Sequence, residues 1–326
     1  MRVRRHFELP PELAAVHRKA VRLEWFSIVY LVTAIVLLAA VLGSSQAMKA
    51  AWVEDILSLL PPLAFLVAAR YRNRPPDETF PYGYHRSVGV AYLAAAAALL
   101  TMGGYILYDS ASTLISVEHP SIGLVELFGQ QVWLGWLMIG ALVYSGLPPV
   151  LLGRAKMRLA ARLHDKVLYA DAEMNRADWA TAGAAVLGVL GIGAGIWWAD
   201  AVAAVVISLD IVRDGASNLR TAVHDLMDRR PTTYDHKGPL ALVEDLERHL
   251  RGLPWVRSAA VRLREEGHVL VGEAYLVPAD PRLDLPALVE RTTWEIENLD
   301  WRLHDVAVVV LRPEHERISD SPQEPS

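Results

Sequence analysis

Residues 24–44 read EWFSIVYLVTAIVLLAAVLGS, an almost uninterrupted apolar run. The hydrocarbon core of a bilayer is about 30 Å thick and takes roughly 20 mainly apolar residues per helix. Five further segments have this character: residues 48–70, 87–114, 129–153, 169–192 and 196–217. The first run is too long for a secretory signal, and further apolar runs follow it. The sequence therefore predicts an all-α domain of six transmembrane helices.

Basic residues orient these helices, because short basic loops are retained in the cytoplasm. They cluster before span one, between spans two and three, and between spans four and five: Arg18, Lys19, Arg22; Arg70, Arg72, Arg74, Arg86; Arg154, Lys156, Arg158, Arg162, Lys166. The opposite loops hold Lys49 alone. We expect both termini in the cytoplasm and the chain in the inner (plasma) membrane.

The charged region after Pro231 is predicted to be a small α+β domain. Its pattern predicts a helix, two strands, a helix and a strand, in the order α-β-β-α-β, near residues 238–252, 256–264, 268–277, 285–298 and 304–312. The expected domains are a cytoplasmic segment 1–23, the transmembrane domain 24–217, a linker 218–237, the cytoplasmic α-β-β-α-β domain 238–313 and a disordered tail 314–326.

Composition excludes several classes of function. The net charge is −5 without a basic, aromatic-rich stripe, so nucleic acid is not an expected partner. The chain has no cysteine, which excludes disulfides and thiolate metal ligands. It also lacks the His-Glu-x-x-His and Gly-x-Ser-x-Gly motifs of hydrolases. We therefore expect neither an enzyme nor a bound cofactor.

Away from their ends, three of the predicted spans contain ionisable residues, whose charge is costly there and marks either a transport path or a structural ion pair. They are Glu54 and Asp55 in span two, Asp171, Glu173, Arg176 and Asp178 in span five, and Asp210 in span six. Helical residues four apart share a face, so Glu54 with Ser58, and Met174 with Asp178, form two short rows that can converge. Oxygen ligands from two such rows suit a hard divalent cation.

The candidate metal ligands are Glu54, Ser58, Asp178, Met174, Asp55 and Glu173. Alternatives stay open for several of them. Glu173 can instead pair with Arg176 three residues on, and Met174 can be a packing residue. Asp55 points about 100° away from Glu54 around the helix. Asp210 suits either helix packing or a proton relay.

Two stretches carry a resemblance to a known family. Residues 74–86, RPPDETFPYGYHR, and residues 170–178, ADAEMNRAD, closely resemble the loop after helix two and the helix-five motif of the cation diffusion facilitator family. Asp200 and the segment LMDRRP at residues 226–231 are further matches. The resemblance implies a homodimeric exporter, surrounded by membrane lipids, that moves a divalent metal cation across the membrane in exchange for protons.

The resemblance also implies where the transport site lies. The family's site has Asp or His with Asp on helix two, and His with Asp on helix five. Here these positions are Glu54 and Ser58, and Met174 and Asp178, so that Asp178 alone keeps its identity. Zinc favours nitrogen and thiolate ligands, whereas oxygen donors favour manganese, iron or magnesium.

The family's other metal positions are also altered. Phe80 and Tyr84 stand where the loop commonly has histidine, which leaves Asp77 alone. We expect the C-terminal domain to dimerise by packing, without bound metal. We also expect four histidines at the surface: His249, His268, His304 and His315. A transporter of an organic cation or zwitterion, and a non-transporting membrane scaffold, remain alternative functions.

Overall fold

The computed structural model describes residues 9–72, 74, 76–117, 121–127, 129–267, 269–280 and 282–312. The tail predicted at residues 314–326 lies outside them. The chain divides into two compact units. We call residues 11–71 and 87–224 the helical unit, and residues 1–10, 72–86 and 225–326 the sheet unit.

Long helices dominate the helical unit. In the described part of the chain they are α1 Pro11–Val41, α2 Gln46–Leu57, α3 Leu60–Arg72, α4 Ser87–Ile115, α5 Leu134–Leu163, α6 Lys166–Gly193 and α7 Ala199–Leu226. Over the described residues, four segments are long and apolar enough to cross a membrane: α1, α2 with α3, α4 and α5. Membrane helices are thus supported for four of the six predicted spans. For α6 and α7, of similar length but richer in charge, the crossing stays a prediction.

The second predicted span is interrupted after Leu57. Ser58 closes α2, and α3 begins at Leu60 with Pro61 and Pro62 in its first turn. Proline is tolerated there because the first helical N–H groups have no partner within the helix. The interruption leaves Ser58 at a helix end.

The start of the fourth span differs from the prediction. In a β-hairpin before α5, β1 (Leu124–Leu127) pairs antiparallel with β2 (Gln130–Trp133). Gly129 has φ +79°, a conformation that glycine adopts without strain. The helix was expected to begin at residue 129. That prediction was wrong, because strand β2 occupies Gln130–Trp133 and α5 begins at Leu134.

The helical unit is held together by close helix contacts. Helix α5 packs along α1 and α6, and α2 packs against α4, α5 and α6. A Cβ added at Gly146 of α5 would lie 2.5 Å from the Cβ of Ala182 on α6, so the two helices approach at small residues. This packing brings α2 and α6, which carry the candidate ligands, side by side.

The sheet unit has the predicted α-β-β-α-β order. Its described elements are α8 Ala241–Arg251, β3 Val256–Glu266, β4 Val269–Pro278, α9 Leu285–Leu299 and β5 Leu303–Val310. Strand β4 is central: it pairs antiparallel with β3 and parallel with β5. Leu246 and Leu250 of α8, Ile296 of α9, and Ala274 and Leu276 of β4 are buried in one apolar core.

Gly272 in β4 gives a test of this sheet. Its φ is +152°, and an added Cβ would lie 2.1 Å from the carbonyl oxygen of Arg262. We expect Gly272→Ala to lower the free energy of unfolding of the sheet unit by about 2–4 kcal/mol, from backbone strain and overpacking. Thermal unfolding of the full chain measures this. Gly238→Ala is the matched control, because a Cβ there meets nothing within 4 Å; equal effects of the two changes would contradict the prediction.

Candidate functional site

The helical unit brings together four of the six predicted ligands. Glu54, Asp55 and Ser58 at the end of α2, and Asp178 in α6, are each less than one tenth exposed. Helix α2 packs directly on α6. Acidic side chains from the second and fifth predicted spans therefore share one buried region.

Several oxygens in this region have no hydrogen-bond partner among the described residues. They are Glu54 Oε2, Asp178 Oδ1 and Ser58 Oγ. The other oxygen of Glu54, Oε1, accepts a hydrogen bond of 3.0 Å from Thr181 Oγ1 on α6. Glu54 on α2 and Asp178 on α6 are thus two acidic side chains buried in the same region. Buried anionic groups without partners are costly, so the arrangement suits a bound cation or protons.

Sequence reasoning missed Thr181. It lies three residues after Asp178, so both side chains lie on the same face of α6, and this spacing was the available signal. Together Glu54, Asp178, Ser58 and Thr181 provide only carboxylate and hydroxyl oxygens near the α2–α6 contact.

Asp55 has a partner of its own. Its Oδ2 accepts a hydrogen bond of 2.6 Å from Ser145 Oγ on α5. The Tyr30 hydroxyl of α1 in turn donates to the carbonyl oxygen of Ser145 at 2.9 Å. The carboxylate of Asp55 therefore faces α5, where the Ser145 hydroxyl holds it. This agrees with its position about 100° away from Glu54 around α2.

The remaining two predicted ligands are less buried. Met174 is half-buried and packs against the main apolar core of the helical unit, which favours the packing role. Glu173 is exposed. The side chain of Arg176, the alternative partner of Glu173, lies outside the described residues.

The donor set is small. Within the described residues, no three or more His, Asp or Glu side chains are grouped so that they could hold a metal ion. Two carboxylates with hydroxyl groups can hold a hard cation that keeps part of its water shell, as Mg²⁺ commonly does. The predicted site is compatible with a cation of this kind.

A second buried charge cluster was not predicted. Lys156 of α5 is fully buried, and its Nζ lies 2.9 Å from Glu24 Oε2 of α1 and also contacts Asp171 Oδ2 of α6. Asn175 Nδ2 donates to Asp171 Oδ1 at 2.9 Å. We call Glu24, Lys156 and Asp171 the charge triad. It joins α1, α5 and α6.

Lys156 was predicted to lie in a basic loop, and that prediction was wrong. Helix α5 continues through it to Leu163. Lys156 shares a face with the buried Leu152, Leu159 and Leu163, three or four residues apart, and this periodicity was the overlooked signal.

The amino-acid sequence matches a known family over most of the helical unit. The model of the cation efflux transmembrane domain matches residues 25–227, more than half of the chain.

The chain belongs to the cation diffusion facilitator family.

This family consists of cation efflux transporters rather than enzymes, so the chain is a membrane protein of the cation efflux class.

Three curated relatives of this family are similar to the chain. The manganese efflux system protein MneS of Bacillus subtilis is 26% identical over 61% of this chain and 65% of its own length. The magnetosome protein MamB of Paramagnetospirillum magneticum is 25% identical over 50% of this chain and 51% of its own length. The cation-efflux pump FieF of Shewanella oneidensis is 24% identical over 78% of this chain and 84% of its own length. The matches to MneS and MamB thus span less than two thirds of those proteins.

The family's loop motif lies in the sheet unit, where Asp77 has a structural role. Asp77 Oδ1 accepts hydrogen bonds from the backbone N–H groups of Thr79 at 2.9 Å and Phe80 at 2.7 Å. The Tyr84 hydroxyl donates to Asp77 Oδ2 at 2.5 Å, and this bond raises the pKa of Tyr84. Tyr84, which replaces a family histidine, therefore uses the carboxylate that a loop metal would need.

The histidines expected at the surface differ among themselves. His249 is partly exposed and lies 3.7 Å from Glu295. His304 is only half-exposed, because its ring lies against that of the buried His85, with centroids 5.7 Å apart. His304 is thus less exposed than His249, although it is not buried. His268 and His315 lie outside the described residues.

Proposed function

We propose that the protein is a proton-coupled antiporter that exports a divalent metal cation from the cytoplasm. The observation that carries this proposal is the buried cluster at the α2–α6 contact, where Glu54 Oε2, Asp178 Oδ1 and Ser58 Oγ have no partner among the described residues. In a low-dielectric region such carboxylates need either protons or a cation. Alternate occupancy by the two is the physical basis of exchange.

The donor chemistry favours a hard ion. Carboxylates and hydroxyls suit manganese, iron or magnesium, whereas zinc prefers imidazole and thiolate ligands. Met174, at the position of the family's histidine, packs into the core. The manganese efflux protein of Bacillus subtilis among the similar proteins supports the same choice.

The proposal includes an arrangement in the membrane. All six long helical segments, with α2 and α3 as one, cross the inner membrane, and both termini lie in the cytoplasm, as the basic loops favour. The sheet unit dimerises two copies by packing.

The test is metal-dependent proton flux across proteoliposomes that contain the purified full chain and a trapped pH indicator. We expect proton movement upon addition of Mn²⁺, Fe²⁺ or Mg²⁺, and smaller movement with Zn²⁺. Liposomes without protein provide the control. Absence of flux with every divalent ion would contradict antiport, and flux with zinc alone would contradict the preference for a hard ion.

A further inference from the structure

A basic cavity lies between α1 and α5, at the end of these helices where α1 begins and α5 ends. Its volume is about 530 Å³. It is lined by four cationic residues and by apolar side chains: Lys19, Arg22, Arg158, Arg162; Leu23, Phe26, Ala155, Leu159. Among the described residues that line it, none is acidic.

The four cations are arranged by helical periodicity. Lys19 and Arg22 are three apart on α1, and Arg158 and Arg162 are four apart on α5, so each pair lies on one face of its helix. Within the described residues none of the four makes an ion pair or a side-chain hydrogen bond. Four positive charges around one cavity repel one another, and an anion between them would remove that repulsion.

The charge triad lies beside the cavity and joins its two helices. Lys156 and Glu24 form an ion pair across α5 and α1, directly beside Ala155 and Leu23 of the lining. The Tyr30 hydroxyl, bonded to the carbonyl oxygen of Ser145, joins the same two helices further along. These contacts show that α1 and α5 run antiparallel, and they fix the spacing of the cationic pairs before any ligand binds.

An exposed apolar surface continues from the cavity along both helices. On α1 it comprises Phe26, Val29 and Val36, and on α5 Leu151 and Leu147, each more than half exposed. Because the helices are antiparallel, both rows run in the same direction away from the four cations. The surface therefore has cationic side chains at one end and a track of exposed apolar side chains leading away from them. This arrangement matches the anionic head and the apolar chain of an amphipathic ligand.

We propose that this cavity binds the phosphate headgroup of an anionic phospholipid, with an acyl chain along the track from Phe26 to Val36. Basic pockets between membrane helices bind anionic headgroups in this way. A free phosphate ion shares the headgroup chemistry but makes no use of the apolar track. The inference needs the membrane domain and does not depend on which ion is transported.

The experiment is native mass spectrometry of the purified full chain with dioleoyl phosphatidylglycerol, and with dioleoyl phosphatidylcholine as the neutral lipid of the same chains. We expect the wild type to retain the anionic lipid preferentially. Arg22→Gln with Arg158→Gln should weaken this binding by roughly 30-fold, at about 1 kcal/mol for each lost contact. Arg154→Gln with Arg220→Gln removes the same charge from exposed positions outside the cavity and should leave binding unchanged.

Three results would overturn the proposal. Equal loss of phosphatidylglycerol in both double variants, or equal retention of both lipids by the wild type, would show only diffuse surface attraction. Displacement of phosphatidylglycerol by millimolar inorganic phosphate would show a free-anion site instead. Since the assay involves no transport, an inactive transporter would not alter its outcome.

Discussion

Asp178→Asn should lower metal-dependent transport by more than about 100-fold, since loss of even an indirect partner of a metal ligand typically costs 10–100-fold. Asp178 is buried in α6, and its Oδ1 has no hydrogen-bond partner among the described residues. The amide keeps the size of the carboxyl group and removes its charge, so the packing of α6 should survive. The measurement is initial metal uptake into proteoliposomes, normalised to the amount of correctly inserted protein.

Glu54→Gln is the companion change on α2. It retains the acceptor that bonds Thr181 Oγ1 and removes the negative charge that faces Asp178. We expect a loss of transport similar to that of Asp178→Asn. The matched control is Glu126→Gln in the exposed hairpin strand β1, which should transport as the wild type does. Wild-type transport by both site variants would rule out the α2–α6 cluster as the ion path.

Lys156→Met should lower the free energy of unfolding of the helical unit by about 3–5 kcal/mol, the usual cost of removing one partner from a buried ion pair. Lys156 is fully buried between Glu24 and Asp171. Methionine fills a similar volume, so the effect comes from two carboxylates left without their cation. Thermal unfolding in detergent, followed by size-exclusion chromatography, measures the change.

The triple variant Glu24→Gln, Lys156→Met, Asp171→Asn separates charge from packing. Replacing a whole buried ion cluster by neutral groups is often nearly neutral for stability. We therefore expect the triple variant to be more stable than Lys156→Met alone. A single variant as stable as the wild type would show that the charge triad does not hold α1, α5 and α6 together.

The two buried clusters are linked through α6. Asp171 belongs to the triad, Asn175 Nδ2 donates a hydrogen bond to it, and Asp178 lies one turn beyond Asn175, at the α2–α6 contact. Positions at these spacings lie on the same face of one helix. The triad is thus placed to fix the position of α6 while the carboxylate of Asp178 stays without a partner.

Helices and strands followed from local patterns. Apolar runs of about 20 residues placed α1, α4 and the α2–α3 pair, and the alternation after Pro231 placed the α-β-β-α-β domain. The exceptions have local causes. The hairpin before α5 depends on a glycine with positive φ, and the interruption at Ser58 depends on two following prolines.

The sequence by itself determined the membrane class, the order of elements and the family, because hydropathy, periodicity and motif spacing are properties of neighbouring residues. It also indicated Glu54, Ser58 and Asp178 through their i, i+4 positions. Only the tertiary structure decided which charges have partners. Lys156 lies between acids that are 132 residues before it and 15 after it in the chain, and Asp55 bonds a serine 90 residues away. Such pairings depend on which helix faces meet in three dimensions, and helix packing rather than any local pattern sets them.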